Sequence, residues 1–181
     1  MRVFIGMPIE AALQEAVDGF RRTHPGLKVK WTKPENLHLT LVPPWECDEC
    51  EPVCRMLKEC AERYRPFQVR FDTVSPGPKG GRRRGRLIWA TGRVPGGLVT
   101  LQRELAASGE SAESPQREFL LHLTMARCKP LDAGELHTPG LTDFPVEWNG
   151  LLNSLALYHS ILNPSGAEYH ILCRYPLTGS L

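Results

Sequence analysis

One pattern occurs twice in this chain, His38-Leu39-Thr40-Leu41 and His122-Leu123-Thr124-Met125, and it narrows the folds open to it. In a β-strand successive side chains point to opposite faces, so each copy sends an imidazole and a hydroxyl to one side and two apolar groups to the other. With six His and ten Thr in 181 residues, about a third of one His-x-Thr match arises by chance, and apolar second and fourth residues make a matched pair much rarer. Each copy sits in an apolar run closed by proline: 37–42 between Pro34 and Pro43-Pro44, and 119–128 between Pro115 and Pro130. Both histidines are expected in mid-strand. A lone strand histidine is most often a hydrogen-bonded or surface residue, but two in matching contexts point to a shared site.

The periodicities predict strands over 2–7, 28–32, 36–42 and 67–74 with helices over 8–24 and 52–64, then strands over 86–94, 119–128, 146–162 and 169–175 with a helix over 98–108. Two halves with similar grammar result, each with a His-x-Thr strand soon after a helix. The expected class is α/β (α+β), two pseudo-twofold-related lobes with antiparallel sheets around a central cleft, in one domain over 1–181. Segments 75–85 and 108–115, rich in small, polar, Gly, Pro or Arg residues, are expected loops.

A formal charge of +2 is too small to announce nucleic-acid binding, so any basic site is local, as in the Arg82, Arg83, Arg84 and Arg86 run, read as a solvated loop or as steering for an RNA backbone. The opening residues read as a strand rather than a signal peptide, and no apolar run has the length of a membrane span. Six cysteines without a secretory signal imply free thiols and a cytoplasmic protein. Cys47, Cys50, Cys54 and Cys60 could suggest a metal site, but Cys50, Cys54 and Leu57 fall on one helical stripe and the spacing is not that of paired C-x-x-C modules. No metal or other cofactor is expected.

Two imidazoles on facing strands suit a reaction that needs one base and one acid near neutrality, such as in-line transfer at phosphorus. Thr40 and Thr124 could donate hydrogen bonds to non-bridging oxygens, and the Arg127 guanidinium could hold an anion. Phe4, Trp31, Trp45 and Tyr158 are candidate base-stacking groups, although each such residue is more often core. His24, His137, His159 and His170 lack the Thr two residues on and are read as non-catalytic.

Over nearly its whole length the chain resembles the 2H phosphoesterase superfamily, specifically the RNA 2′,3′-cyclic phosphodiesterases, also called 2′-5′ RNA ligases. The residues that carry the resemblance are 2–6, the motif 34–41, the strand 84–89, the motif from His122 to Arg127, and Tyr158, Ser160 and Leu162 with Gly166 and Tyr169 in a closing hairpin. It implies that His38 is the proton donor to the leaving oxygen, that His122 is the proton acceptor from water, and that Thr40, Thr124 and Arg127 hold the phosphate, with Phe4 and Tyr158 as the better stacking groups. The implied partner is RNA or an oligonucleotide with a 2′,3′-cyclic phosphate end, opened to a 2′-phosphomonoester by a monomeric protein. The alternatives are the reverse 2′-5′ ligation and a non-catalytic nucleotide- or RNA-binding module. The chain departs from the family pattern at Val42-Pro43-Pro44-Trp45, where a Phe-Leu-Gly-like turn is common, and at Phe119-Leu120-Leu121.

Overall fold

The computed structural model describes residues 1–79, 85–108, 118–128, 141–163 and 166–180. In chain order the elements are β1 (Arg2–Pro8), α1 (Ala11–Thr23), β2 (Val29–Trp31), a 3-10 turn (Pro34–Asn36), β3 (His38–Glu46), α2 (Cys50–Ala61), β4 (Phe67–Gly77) and β5 (Leu87–Gly92), then α3 (Gly96–Ser108), β6 (Leu121–Cys128), β7 (Phe144–Leu152), β8 (Ser154–Asn163) and β9 (Gly166–Pro176).

The strands form one antiparallel sheet in the order β7-β4-β5-β6-β3-β1-β8-β9, with β2 added to β6. The two motif strands sit side by side at its centre, joined in register at Leu39 and Leu123, both fully buried. Three strands flank each of them, so an approximate twofold axis passes through this leucine pair. The expected antiparallel α+β arrangement is present as two sides of a continuous curled sheet.

The sides do not follow chain order, which corrects the division into an early and a late half. β4, from the early part, joins the His122 side, while β8 and β9, from the late part, complete the His38 side. Local periodicity identifies a strand but carries no information about its partner. The predicted strand over 146–162 is likewise two strands: β7 pairs with β4, and β8 pairs with β1 and β9. The chain passes from one to the other at Asn153, whose side-chain amide donates to the Glu10 carboxylate and whose carbonyl accepts from Leu177 N–H at 2.8 Å. The sequence carries turn-type residues here, Asn149-Gly150 and Asn153-Ser154, which the apolar residues around them mask.

The helices follow their apolar stripes. Leu13, Val17 and Phe20 of α1, Leu57 and Cys60 of α2, and Leu98, Leu101 and Leu105 of α3 are buried in the main core with Val3, Ile5, Met7, Leu39, Leu41, Leu123 and Met125. Alternate positions on the central strands face the other way, where Phe4, Ala156 and Tyr158 form a smaller cluster with Tyr169 against it. Most boundaries shift by a few residues, β4 running on to Gly77 into the segment expected as a loop, and two shifts involve proline. Pro8 closes β1 instead of opening α1, and β3 continues through Pro43-Pro44 to Glu46, its register with β1 broken there so that neither proline occupies a regular ladder position.

The expectation that all cysteines are thiols is also corrected. α2 packs on β8 and β9, which places Cys54 against Cys173 with Cα atoms 6.2 Å apart, and the two form a disulfide. The cluster does not act as a unit: Cys50 Sγ lies 3.6 Å from Cys47 Sγ, while Cys60 Sγ lies 3.6 Å from a Glu104 carboxylate oxygen. No helix of the described residues is long and apolar enough to cross a membrane.

Candidate active site

Register alone assembles the centre of the site. With Leu39 opposite Leu123 in an antiparallel pair, His38 falls beside Thr124 and Thr40 beside His122, all four on the face away from the leucines. The two imidazoles are therefore diagonal neighbours related by the approximate twofold axis.

That symmetry extends to how each ring is held. His38 Nδ1 lies 2.7 Å from the carbonyl oxygen of Asn36, the buried last residue of the 3-10 turn, and His122 Nδ1 lies 3.0 Å from the carbonyl oxygen of Leu120. A carbonyl only accepts, so each Nδ1 carries the proton and donates it. Each neutral ring is thereby left with Nε2 as its open acceptor. Each ring also leans on an aromatic side chain from the neighbouring strand, His38 on Phe4 of β1 (centroids 4.7 Å, 38°) and His122 on Trp89 of β5 (4.4 Å, 39°). Tyr169 of β9 meets His38 edge-on at 5.1 Å.

Burial pushes the His38 imidazole down to about 4, with the bond to the Asn36 carbonyl opposing this and the charge on His122 adding to it. Burial also lowers His122, against the bond to the Leu120 carbonyl. Both rings are neutral at pH 7 in the unliganded protein.

Arg127 reaches the same face by a local irregularity. Five residues separate it from His122, an odd number that on a regular strand would turn it toward the core. Between β5 and β6 the register steps from Ile88–Ala126 to Trp89–Thr124, which leaves Met125 as an extra residue on β6. This bulge buries Met125 and Ala126 together and turns Arg127 to the cleft.

The cleft, about 410 Å³, is bordered by Phe4, His38, Thr40, Thr124, Arg127 and Tyr169, with Lys30 to Lys33 along the β2 rim and Pro44 in the segment that departs from the family pattern. Of the aromatic candidates, Phe4 borders this cleft; Trp31 contributes to its edge, but its ring packs against the main core, edge-on to Phe20 at 6.4 Å. Tyr158 is stacked beneath Phe4 (4.7 Å, 3°) rather than in the wall, and Trp45 packs against the main core. Arg82, Arg83, Arg84 and His137 lie outside the described residues. Arg86 is described, and its carbonyl accepts from Cys128 N–H at 2.9 Å. His24 stacks on Phe20, and His159 pairs with His170 across β8 and β9, away from the cleft.

Three contributors fall in segments that carry the resemblance but are given no site role by the sequence: Trp89, Tyr169 and Gly6. A Cβ at Gly6 would lie 2.7 Å from the Leu39 carbonyl oxygen, 3.3 Å from the Tyr158 ring and 3.5 Å from His38 Cδ2. Glycine is needed here because the Leu39 carbonyl passes this close; the Tyr158 ring is tight and the imidazole lies at ordinary contact distance. Gly6→Ala is expected to cost roughly 1–3 kcal/mol of stability and, by pushing on the Leu39 backbone next to His38, to lower kcat/KM on a cyclic phosphate by about tenfold. Steady-state kinetics beside a thermal melt check this, and an unchanged kcat/KM would show that the imidazole position does not depend on this contact.

A curled antiparallel sheet whose central strands each carry a carbonyl-anchored His and a Thr on one face defines the 2H phosphoesterase class; His38, Thr40 and Thr124 border the cleft, and His122 lies on the same face outside its described lining. The comparisons with known proteins agree: the chain belongs to the 2′-5′ RNA ligase superfamily, whose family model matches residues 9–161. An RNA 2′,3′-cyclic phosphodiesterase of Archaeoglobus fulgidus is 26% identical over 93% of this chain and 96% of that protein, and one of Aquifex aeolicus is 24% identical over 99% and 98%. Among solved structures, a Thermus thermophilus protein shares the fold with a TM-score of 0.79 at 24% identity over the full length of both chains. E. coli LigT, crystallised with phosphate, matches with a TM-score of 0.69 at 26% identity over 98% of this chain and 97% of that one.

Proposed function

We propose that this protein is a metal-independent RNA 2′,3′-cyclic phosphodiesterase that acts in the cytoplasm and opens a terminal cyclic phosphate to a 2′-phosphomonoester. The observation that carries the reading is the twofold pair of imidazoles, each pinned through Nδ1, on one face of one sheet. Such a pair can serve both apices of an in-line displacement at a phosphorus lying between them. The names of the A. fulgidus and A. aeolicus relatives, and the phosphate bound to E. coli LigT, are consistent with it.

In this mechanism Nε2 of His122 takes a proton from water as its oxygen attacks phosphorus. The P–O3′ bond breaks at the opposite apex, and O3′ takes the proton carried by Nε2 of His38. Thr40 and Thr124 donate to the non-bridging oxygens as charge gathers there, and Arg127 holds the anion. Phe4, buried between Tyr158 and His38, acts by backing the imidazole rather than by stacking on a base. Turnover leaves His122 charged and His38 neutral, so one proton must be exchanged with solvent before the next cycle. Ligation to a 5′-hydroxyl uses the same groups in reverse.

The test is an oligonucleotide ending in a 2′,3′-cyclic phosphate, incubated with the protein in EDTA and resolved for its products. The expected product is the 2′-phosphate alone. A 3′-phosphate product would reverse the assigned geometry, and activity lost in EDTA but restored by a divalent metal would refute the two-histidine scheme.

A further inference from the structure

Strand β2 carries a charge arrangement that the fold does not need. Lys30 lies directly opposite Arg127 in the antiparallel β2–β6 register, both side chains border the cleft, and Lys33 follows on the same rim. Like charges directly opposite on adjacent strands destabilise a sheet. Among the described residues, none of the ion pairs involves Lys30, Lys33 or Arg127. Glu168, the acidic residue of the described wall, comes from β9 beside Tyr169. A cation pair without a carboxylate, turned toward a cleft, is suited to an anion that arrives with the ligand.

We propose that Lys30, with Lys33 beside it, forms a subsite for the phosphoryl group on the 5′ oxygen of the terminal nucleoside, so that both phosphates flanking that sugar are held. The inference rests on the reaction proposed above. Its geometry comes from β6: Thr124 stands beside His38, and Arg127 lies two paired positions further along once the bulged Met125 is set aside. Two strand positions span roughly 7 Å, which accommodates a ribose. The donors then run from Thr124 through Arg127 to Lys30, from the cyclic phosphate to the phosphate on the other side of the sugar. In RNA that second group is the internucleotide diester, and in a mononucleotide it is a 5′-phosphate. The subsite would make the protein a reader of chain ends rather than of free cyclic nucleosides.

Three substrates with the same base test this: adenosine 2′,3′-cyclic phosphate, the same compound with a 5′-phosphate, and the adenosine dinucleotide ending in a cyclic phosphate. The wild-type kcat/KM is expected to be about tenfold or more higher for the two substrates carrying the 5′ phosphoryl group. In Lys30→Gln/Lys33→Gln that ratio should fall close to one. The dependence of log kcat/KM on log salt for the dinucleotide should become shallower by roughly 0.7 for each phosphate that a lysine no longer neutralises. A melting temperature equal to or above wild type would show that the variant folds and that the like-charge pair has been relieved. A lysine-dependent preference confined to the dinucleotide supports a diester subsite, and one shared by the 5′-phosphate supports a general phosphoryl subsite. Equal rates on all three wild-type substrates, or a preference that survives the double substitution, overturn the subsite while leaving the reaction standing. Failure to open any of the three overturns the reaction, and the subsite with it.

Discussion

Replacing His38 or His122 with alanine is expected to lower turnover of a 2′,3′-cyclic phosphate by about a hundredfold or more while leaving the fold intact. The magnitude follows from the roles. Without His122 the attacking water keeps its proton, and without His38 the O3′ leaving group departs as an alkoxide. The fold survives because both rings lie on the face opposite the Leu39–Leu123 pair, outside the main core. Because the two act as a unit, the double variant should lose little more than the worse single one. Single-turnover rates with circular dichroism on each variant check this, and full turnover in either removes that residue from the mechanism.

The second large effect concerns pH. Hydrolysis needs one proton shared between the two rings, and burial lowers both, His38 to about 4. In the free enzyme the pair loses that proton as pH rises through values below the ordinary imidazole range. The profile of kcat/KM should therefore be a bell with its maximum below pH 6.5, falling by about tenfold per unit on the alkaline side. A bound phosphate anion favours the imidazolium, so the profile of kcat should lie to the alkaline side of that of kcat/KM. The shared proton must be on His38 when the leaving group is protonated. A kcat/KM maximum at pH 7 or above, or a flat profile from pH 4 to 8, would contradict a desolvated histidine pair.

What the sequence displays, and what it hides, divides along the range of the interactions. The period of two in His38-x-Thr40 and His122-x-Thr124 places each pair on one face whatever surrounds it, so the heart of the site is readable. So are the helices, because Leu13, Val17 and Phe20 or Leu98, Leu101 and Leu105 repeat at helical spacing. Arg127 stands out by its chemistry, yet counting residues would send it to the core, because nothing in the sequence marks Met125 as bulged. The carbonyls that fix the imidazoles belong to the main chain and leave no residue signature. Trp89, Gly6 and the Cys54–Cys173 pair matter through neighbours distant in sequence. The passage from β7 to β8 is only faintly marked, by Asn149-Gly150 and Asn153-Ser154 within an otherwise apolar run.

The interleaving of the sheet bears on how the molecule comes into being. The strand that supports Phe4 from its far side is β8, whose Tyr158 pairs with it, and the wall opposite β2 is closed by Tyr169 of β9. The first imidazole emerges from the ribosome early, but its surroundings wait for residues more than a hundred positions later. Such distant pairings impose a high contact order, which slows folding and makes it cooperative. A nascent chain carrying both histidines but lacking the β8–β9 hairpin would have neither a closed cleft nor a desolvated His38. Assembly of the chemistry is thereby tied to the arrival of β8 and β9.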